Sequence, residues 1–195
     1  SAIRAAASIK PYFEFERVLQ DGVFFTLEKL YGVTLKPRPD LPVYHEDVKA
    51  YEMFDVDGSS MAIFYADYFA REGKRGGAWM SSFVGQSTLL ETKPVVVNVM
   101  NIKKAPEGEP TFVSYDEVTT MFHEMGHGLT ALLMGGSFKS LLIYPNGSGI
   151  ARHTTSGNLQ LALVAAGGLL GPPIAGSLFI LAGASEKRSR LVLTL

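Results

Sequence analysis

Ser114-Tyr115-Asp116-Glu117-Val118-Thr119-Thr120-Met121-Phe122-His123-Glu124-Met125-Gly126-His127-Gly128-Leu129 is the stretch on which the reading of this chain turns. Ser114 and Glu117 stand three apart ahead of an apolar run, the spacing at which a hydroxyl and a carboxylate reciprocally cap the first turn of a helix. Val118, Phe122, Met125, Leu129, Leu132 and Leu133 then recur at helical spacing, which predicts a helix from about Tyr115 to about Met134 that ends at Gly135-Gly136. On that helix His123 and His127 are four residues apart. Their imidazoles therefore leave the same face one turn from each other, able to reach one ion about 2.0 Å from each nitrogen. Glu124 is turned away enough not to compete as a ligand, yet is close enough to take a proton from an attacking water. Gly126 leaves the helix surface bare where an ion or a neighbouring segment must approach. The pattern points to metal-assisted hydrolysis, with His123 and His127 as ligands of one metal ion and Glu124 as general base.

Outward from this helix the chain reads as α+β. Phe15, Val18, Leu19, Val23, Leu27 and Leu30 give a helical stripe over Phe13–Tyr31, with Gly32 as a left-handed stop. The segment Lys36-Pro37-Arg38-Pro39-Asp40-Leu41-Pro42 carries three prolines, which remove backbone donors, and reads as a linker. Ala50–Val56 and Met61–Phe69 flank Asp57-Gly58 and predict a hairpin. Ala78–Val84 and the β-branched run Pro94–Met100 predict two further strands. Strands before such a helix fit zinc peptidases, in which an edge strand pairs with an extended substrate backbone.

Composition excludes several other classes. The 195 residues carry 18 Lys+Arg against 19 Asp+Glu, a net charge of -1 that offers no basic field for nucleic acid. No cysteine is present, so there is no disulfide scaffold, any metal must be held by His and carboxylate, and a cytoplasmic setting is expected. The chain starts at Ser1 with no signal-peptide pattern, and the start reads as a cut inside a longer protein. His45 and His153 are expected at the surface, as is Trp79 in packing. Lys74 and Arg75, in a Gly-rich loop, are either a solvated pair or a holder of a peptide carboxylate. No substrate-binding residue is assigned.

Lys10-Pro11-Tyr12-Phe13, Phe54-Asp55-Val56-Asp57-Gly58, Phe64-Tyr65-Ala66-Asp67, Arg71-Glu72-Gly73-Lys74-Arg75-Gly76-Gly77-Ala78-Trp79 and Thr119–His127 together resemble the M3 family of oligopeptidases across about residues 8–134. The resemblance implies a zinc-dependent peptidase for short peptides, cut within a channel between mainly helical lobes, of which residues 1–134 are a central slice of a zincin-like catalytic domain. It also implies His123 and His127 as zinc ligands and Glu124 as base. The family's third ligand is a Glu a couple of dozen residues after the second His, and there this chain has Arg152. No Asp or Glu occurs between Gly128 and Ser185, which leaves Glu186 and His153 as substitutes. The family's later Tyr and His groups have no counterpart around Tyr144.

Residues 135–195 differ in kind. Every acidic side chain but Glu186 precedes them, and Arg152 to Glu186 encloses no charge at all. Three readings of this tail stand side by side: a reading-frame shift after about Leu133, a membrane anchor over 159–184, and a divergent natural module. The alternative to a working peptidase is accordingly a non-catalytic fragment or pseudoenzyme, tethered to a membrane by the tail. Short peptides are the expected partners, nucleic acid is not, and the membrane enters only through 159–184.

Overall fold

The computed structural model describes residues 10–87, 89–133, 137–143, 149–154, 159, 162–170 and 173. The first helix, α1, is continuous from Phe15–Arg17 through a π-helical Val18–Phe24 to Phe25–Tyr31. Glu14 caps it, its carboxylate accepting from the backbone N–H of Glu16 at 3.1 Å and of Arg17 at 2.9 Å. Gly32 ends it at φ 71°, as the sequence predicted. The wide turns around Gly22 shift the helical phase. Phe15, Val18, Leu19, Val23 and Leu27 stay buried, whereas Leu30, expected on the same stripe, is carried out to 37% exposure.

Seven strands form one sheet among the described residues: β1 Thr34–Pro37, β2 Lys49–Phe54, β3 Ser60–Phe69, β4 Ala78–Val84, β5 Val95–Ile102, β6 Ser137–Ile143 and β7 Gly149–Thr154, in the order β1-β2-β3-β5-β4-β6-β7. The β2–β3 hairpin closes at Gly58, whose φ of 81° suits a residue without a Cβ. β1 corrects the first two residues of the linker reading, because Lys36 pairs with Glu52 and Pro37 with Tyr51, while 38–42 hold neither helix nor strand. Proline is tolerated there because β1 is an outer strand with one side unpaired. β5 is inserted between β3, which it joins in parallel, and β4, which it joins antiparallel. β5 is flanked on both sides and Val96, Val97, Val99 and Met100 are all buried, so both faces are covered, which explains the uninterrupted Val95-Val96-Val97; Asn98, buried among them, donates to the Trp79 carbonyl at 3.4 Å.

The second helix, α2, runs Tyr115–Leu133. The capping box forms as expected: the N–H of Ser114 donates to Glu117 at 2.7 Å and the N–H of Glu117 donates back to Ser114 Oγ at 3.2 Å. Met121, Phe122, Met125 and Leu129 face the core that α1 and the sheet share with Phe15, Leu19, Phe64, Tyr68 and Met80. At Gly128 a Cβ would fall 2.4 Å from Met80 Cε, so any larger residue there would have to push the flexible end of Met80 aside. A third helical segment spans 162–170, after the sheet is complete. The architecture is α+β with a mixed sheet. Among the described residues no helix is long and apolar enough to cross a membrane. Most of 171–195, including Glu186, lies outside the described residues, as does Tyr144.

Candidate active site

Helix α2 carries the three motif residues, and its capped start and apolar stripe set their directions. His123 is half-buried, His127 nearly buried at 6% and Glu124 fully buried at 0% exposure. Nε2 of His123 and Nε2 of His127 lie 3.1 Å apart, the two rings nearly perpendicular at 86°. Two nitrogens about 2.0 Å from one tetrahedral ion stand about 3.3 Å apart, so the spacing of the pair suits a shared ion such as zinc. Nδ1 of His127 donates to the carbonyl of Val164 at 2.7 Å, which leaves Nε2 with its lone pair toward His123. Burial lowers the His123 pKa, opposed by a hydrogen bond to the backbone of Gly168.

Glu124 is poorly accommodated by the described residues around it. Both carboxylate oxygens are buried, and neither has a hydrogen-bond partner among the described residues. Burial pushes its pKa up to about 8. The buried Tyr68 hydroxyl is likewise without a partner, and its pKa rises through burial, with the charges of Tyr51 and Glu124 adding to it. An orphaned carboxylate one residue from paired imidazoles is a costly arrangement that packing alone gives no reason to keep. Among the described residues no group of three His, Cys, Asp or Glu side chains comes together to hold a metal ion. The structure thus brings His123 and His127 to a common point, and supplies no third partner from the described residues. His153 sits on β7 with its backbone opposite Phe138, and Arg152 sits opposite Ser140.

Lys74 turns out to be no substrate holder. Its side chain is 4% exposed, and the ammonium donates to Asp67 Oδ1 at 2.9 Å, to the Asp67 carbonyl at 2.8 Å and to the Phe69 carbonyl at 2.7 Å. Asp67 also receives both arms of Arg71, at 2.6 and 2.9 Å, and the hydroxyl of Tyr44 at 2.8 Å. Burial raises the Asp67 pKa, but these donors outweigh it and bring the carboxyl down to about 2. The Asp67–Arg71–Lys74 cluster fixes the loop after β3, a role that residue-by-residue reading missed although the charge spacing was visible. Arg75 lies over the Trp79 ring at 5.8 Å, and Trp79 is half-buried as a packing residue. His45 accepts from the N–H of Asp47 at 3.2 Å within its loop, half-buried rather than fully at the surface.

β4, the strand beside α2, is paired on both sides, by β5 and by β6 through Ala78↔Ile143 to Ser81↔Ser140, and the outer strands among the described residues are β1 and β7. The chain between α2 and β7 returns to the sheet, which the run of small and apolar residues in 137–154 did not reveal.

Two family models match the sequence. Peptidase family M3 matches residues 3–142, and the Peptidase M50B-like family matches residues 95–195. The dipeptidyl carboxypeptidases of Salmonella typhimurium and Escherichia coli are 54% identical over 126 residues and 49% identical over 135, covering 65% and 69% of this chain but 18% and 20% of their own lengths. Oligopeptidase A of Escherichia coli is 40% identical over 128 residues, 64% of this chain and 19% of its own. The chain spans about a fifth of the length of these relatives. The two family matches overlap over 95–142, which holds β5, α2 and the whole of His123–His127. The second match also covers all of 135–195, so the tail is not sequence without a family.

Proposed function

Because the chain belongs to peptidase family M3 through residues 3–142 and to the M50B-like peptidases through residues 95–195, we propose that it is the motif-bearing part of a zinc-dependent metallopeptidase that hydrolyses short peptides. The observation that carries this reading is the 3.1 Å approach of the two Nε2 atoms next to a buried carboxylate with no partner among the described residues. His123 and His127 would hold the ion. Zinc, when bound, supplies a positive charge that polarises a peptide carbonyl, acidifies water and favours the ionised form of Glu124. Glu124 then takes the proton of the attacking water and returns it to the leaving amine. Val164 fixes the His127 tautomer through its carbonyl.

Peptidyl-dipeptidase action on short peptides and a cytoplasmic location belong to the same proposal, as does a zincin-like relation between the sheet and α2. With two identified donors, the 195-residue chain is expected to turn over slowly. The alternative is a non-catalytic relative that keeps the helix only as structure, and it is favoured by the lack of a third donor among the described residues. Cleavage of internally quenched oligopeptides separates the two. Slow zinc-dependent turnover, lost on chelation and in Glu124→Gln, supports the peptidase. Turnover unaffected by Glu124→Gln contradicts the role given to that residue.

A further inference from the structure

The helical segment 162–170 lies directly on the motif face of α2, and glycines on both helices make the contact possible. A Cβ on Gly126 would stand 2.4 Å from the carbonyl oxygen of Gly167, and a Cβ on Gly167 would stand 2.1 Å from Thr130 Oγ1. At Gly168 an added Cβ would stand 2.0 Å from Nε2 of His127 and 2.2 and 2.3 Å from its two ring carbons. None of these distances is sterically possible, so each position requires glycine as long as the segment is seated. Val164, one helical turn before Gly168, is buried at 1% while its carbonyl engages His127 Nδ1. Leu163, Leu169 and Leu170 point outward at 42%, 68% and 52% exposure. The segment therefore grips the His pair with one narrow face of small residues and polar backbone.

We infer that residues 162–170 form an internal cover over His127, which orients its ring through Val164 and closes its Nε2 side with Gly168, so that His127 becomes reachable only when the segment shifts, whereas half-buried His123 stays partly open. β6 reinforces the arrangement by filling the neighbouring side of β4. Any ion or peptide approaching from this side competes with the chain's own C-terminal part. The coupling to zinc rests on the proposed metal role of the pair, whereas the cover itself does not.

The test uses the full chain without metal, as wild type, Gly168→Ala and the outward control Leu169→Ala. Diethyl pyrocarbonate modification of His123 and His127 is followed by peptide mapping, with His45 as internal reference and amide exchange read over 162–170. Slow modification of His127 is expected in wild type and Leu169→Ala. In Gly168→Ala it should rise about tenfold, together with exchange in 162–170, while His45 is unchanged and β3 and β5 stay protected. Unchanged modification in a folded Gly168→Ala overturns the cover. If that variant does not fold, wild type decides: His127 should be modified no faster than the amides of 162–170 open, and faster modification overturns the proposal. In a zinc titration of the same samples, Gly168→Ala should bind about tenfold more tightly. Absence of zinc binding in every sample would count against the metal reading and leave the modification result to judge the cover.

Discussion

Nδ1 of His127 donates to the carbonyl of Val164, 2.7 Å away and 37 residues further along the chain. With that proton on Nδ1, Nε2 of His127 is the acceptor in the 3.1 Å contact with His123, and Nε2 of His123 is the donor. The metal-free pair therefore holds opposite tautomers. Long-range nitrogen–proton correlation spectra of labelled protein at mildly alkaline pH should show Nδ1–H for His127 and Nε2–H for His123. Adding zinc should convert His123 to Nδ1–H. The same tautomer on both rings before zinc would contradict this hydrogen-bond scheme.

Burying Glu124 without a partner stands against the stability of the fold. Glu124→Leu should stabilise the metal-free chain by about 1–3 kcal/mol, since it removes an unpaired buried carboxylate and adds apolar contact. Urea unfolding without metal measures this. Glu124→Gln should gain far less, because an amide is left equally without partners. A destabilised Glu124→Leu would reveal a partner for the carboxylate that the described contacts do not contain.

Asp67 provides the clearest dependence on pH. Its folded pKa of about 2 lies below the ordinary carboxyl value, so its contribution is complete above about pH 4 and is lost as the pH falls toward 2. The size is about 2 kcal/mol. Asp67→Asn should cost about 3–5 kcal/mol at neutral pH, because buried Lys74 then loses its counter-charge. It should also flatten the acid side of the stability profile. Denaturant midpoints measured from pH 2 to 7 for both proteins test the size and the sign.

The reciprocal cap of α2 is local and should behave so. Ser114→Ala and Glu117→Ala should each cost about 1 kcal/mol, and the double variant less than the sum, because each removes the other's partner. Fully additive losses would show that the two hydrogen bonds are independent.

What the sequence disclosed and what it hid follow from the range of the interactions involved. The cap of α2, the stop at Gly32 and the β2–β3 turn at Gly58 are set within a few residues, and each was legible. The insertion of β5 between β3 and β4 depends on pairing between distant segments, which no local pattern encodes. β1 was hidden behind Pro37, whose missing donor matters only where a second partner strand is required. His123, Glu124 and His127 were visible through their spacing. The segment 162–170 that covers them was not, because its contact relies on glycine and on backbone atoms rather than on any recognisable side chain.

Zinc binding by calorimetry tests the central claim most directly, using the 195-residue chain with His123→Ala, His127→Ala and His45→Ala. A two-donor site predicts one zinc per chain with a dissociation constant of about micromolar or weaker, far short of a fully ligated site. Binding should be abolished by either motif substitution and unchanged by His45→Ala. Nanomolar binding would show that a third ligand completes the site, and binding that survives loss of His123 or His127 would contradict the site itself.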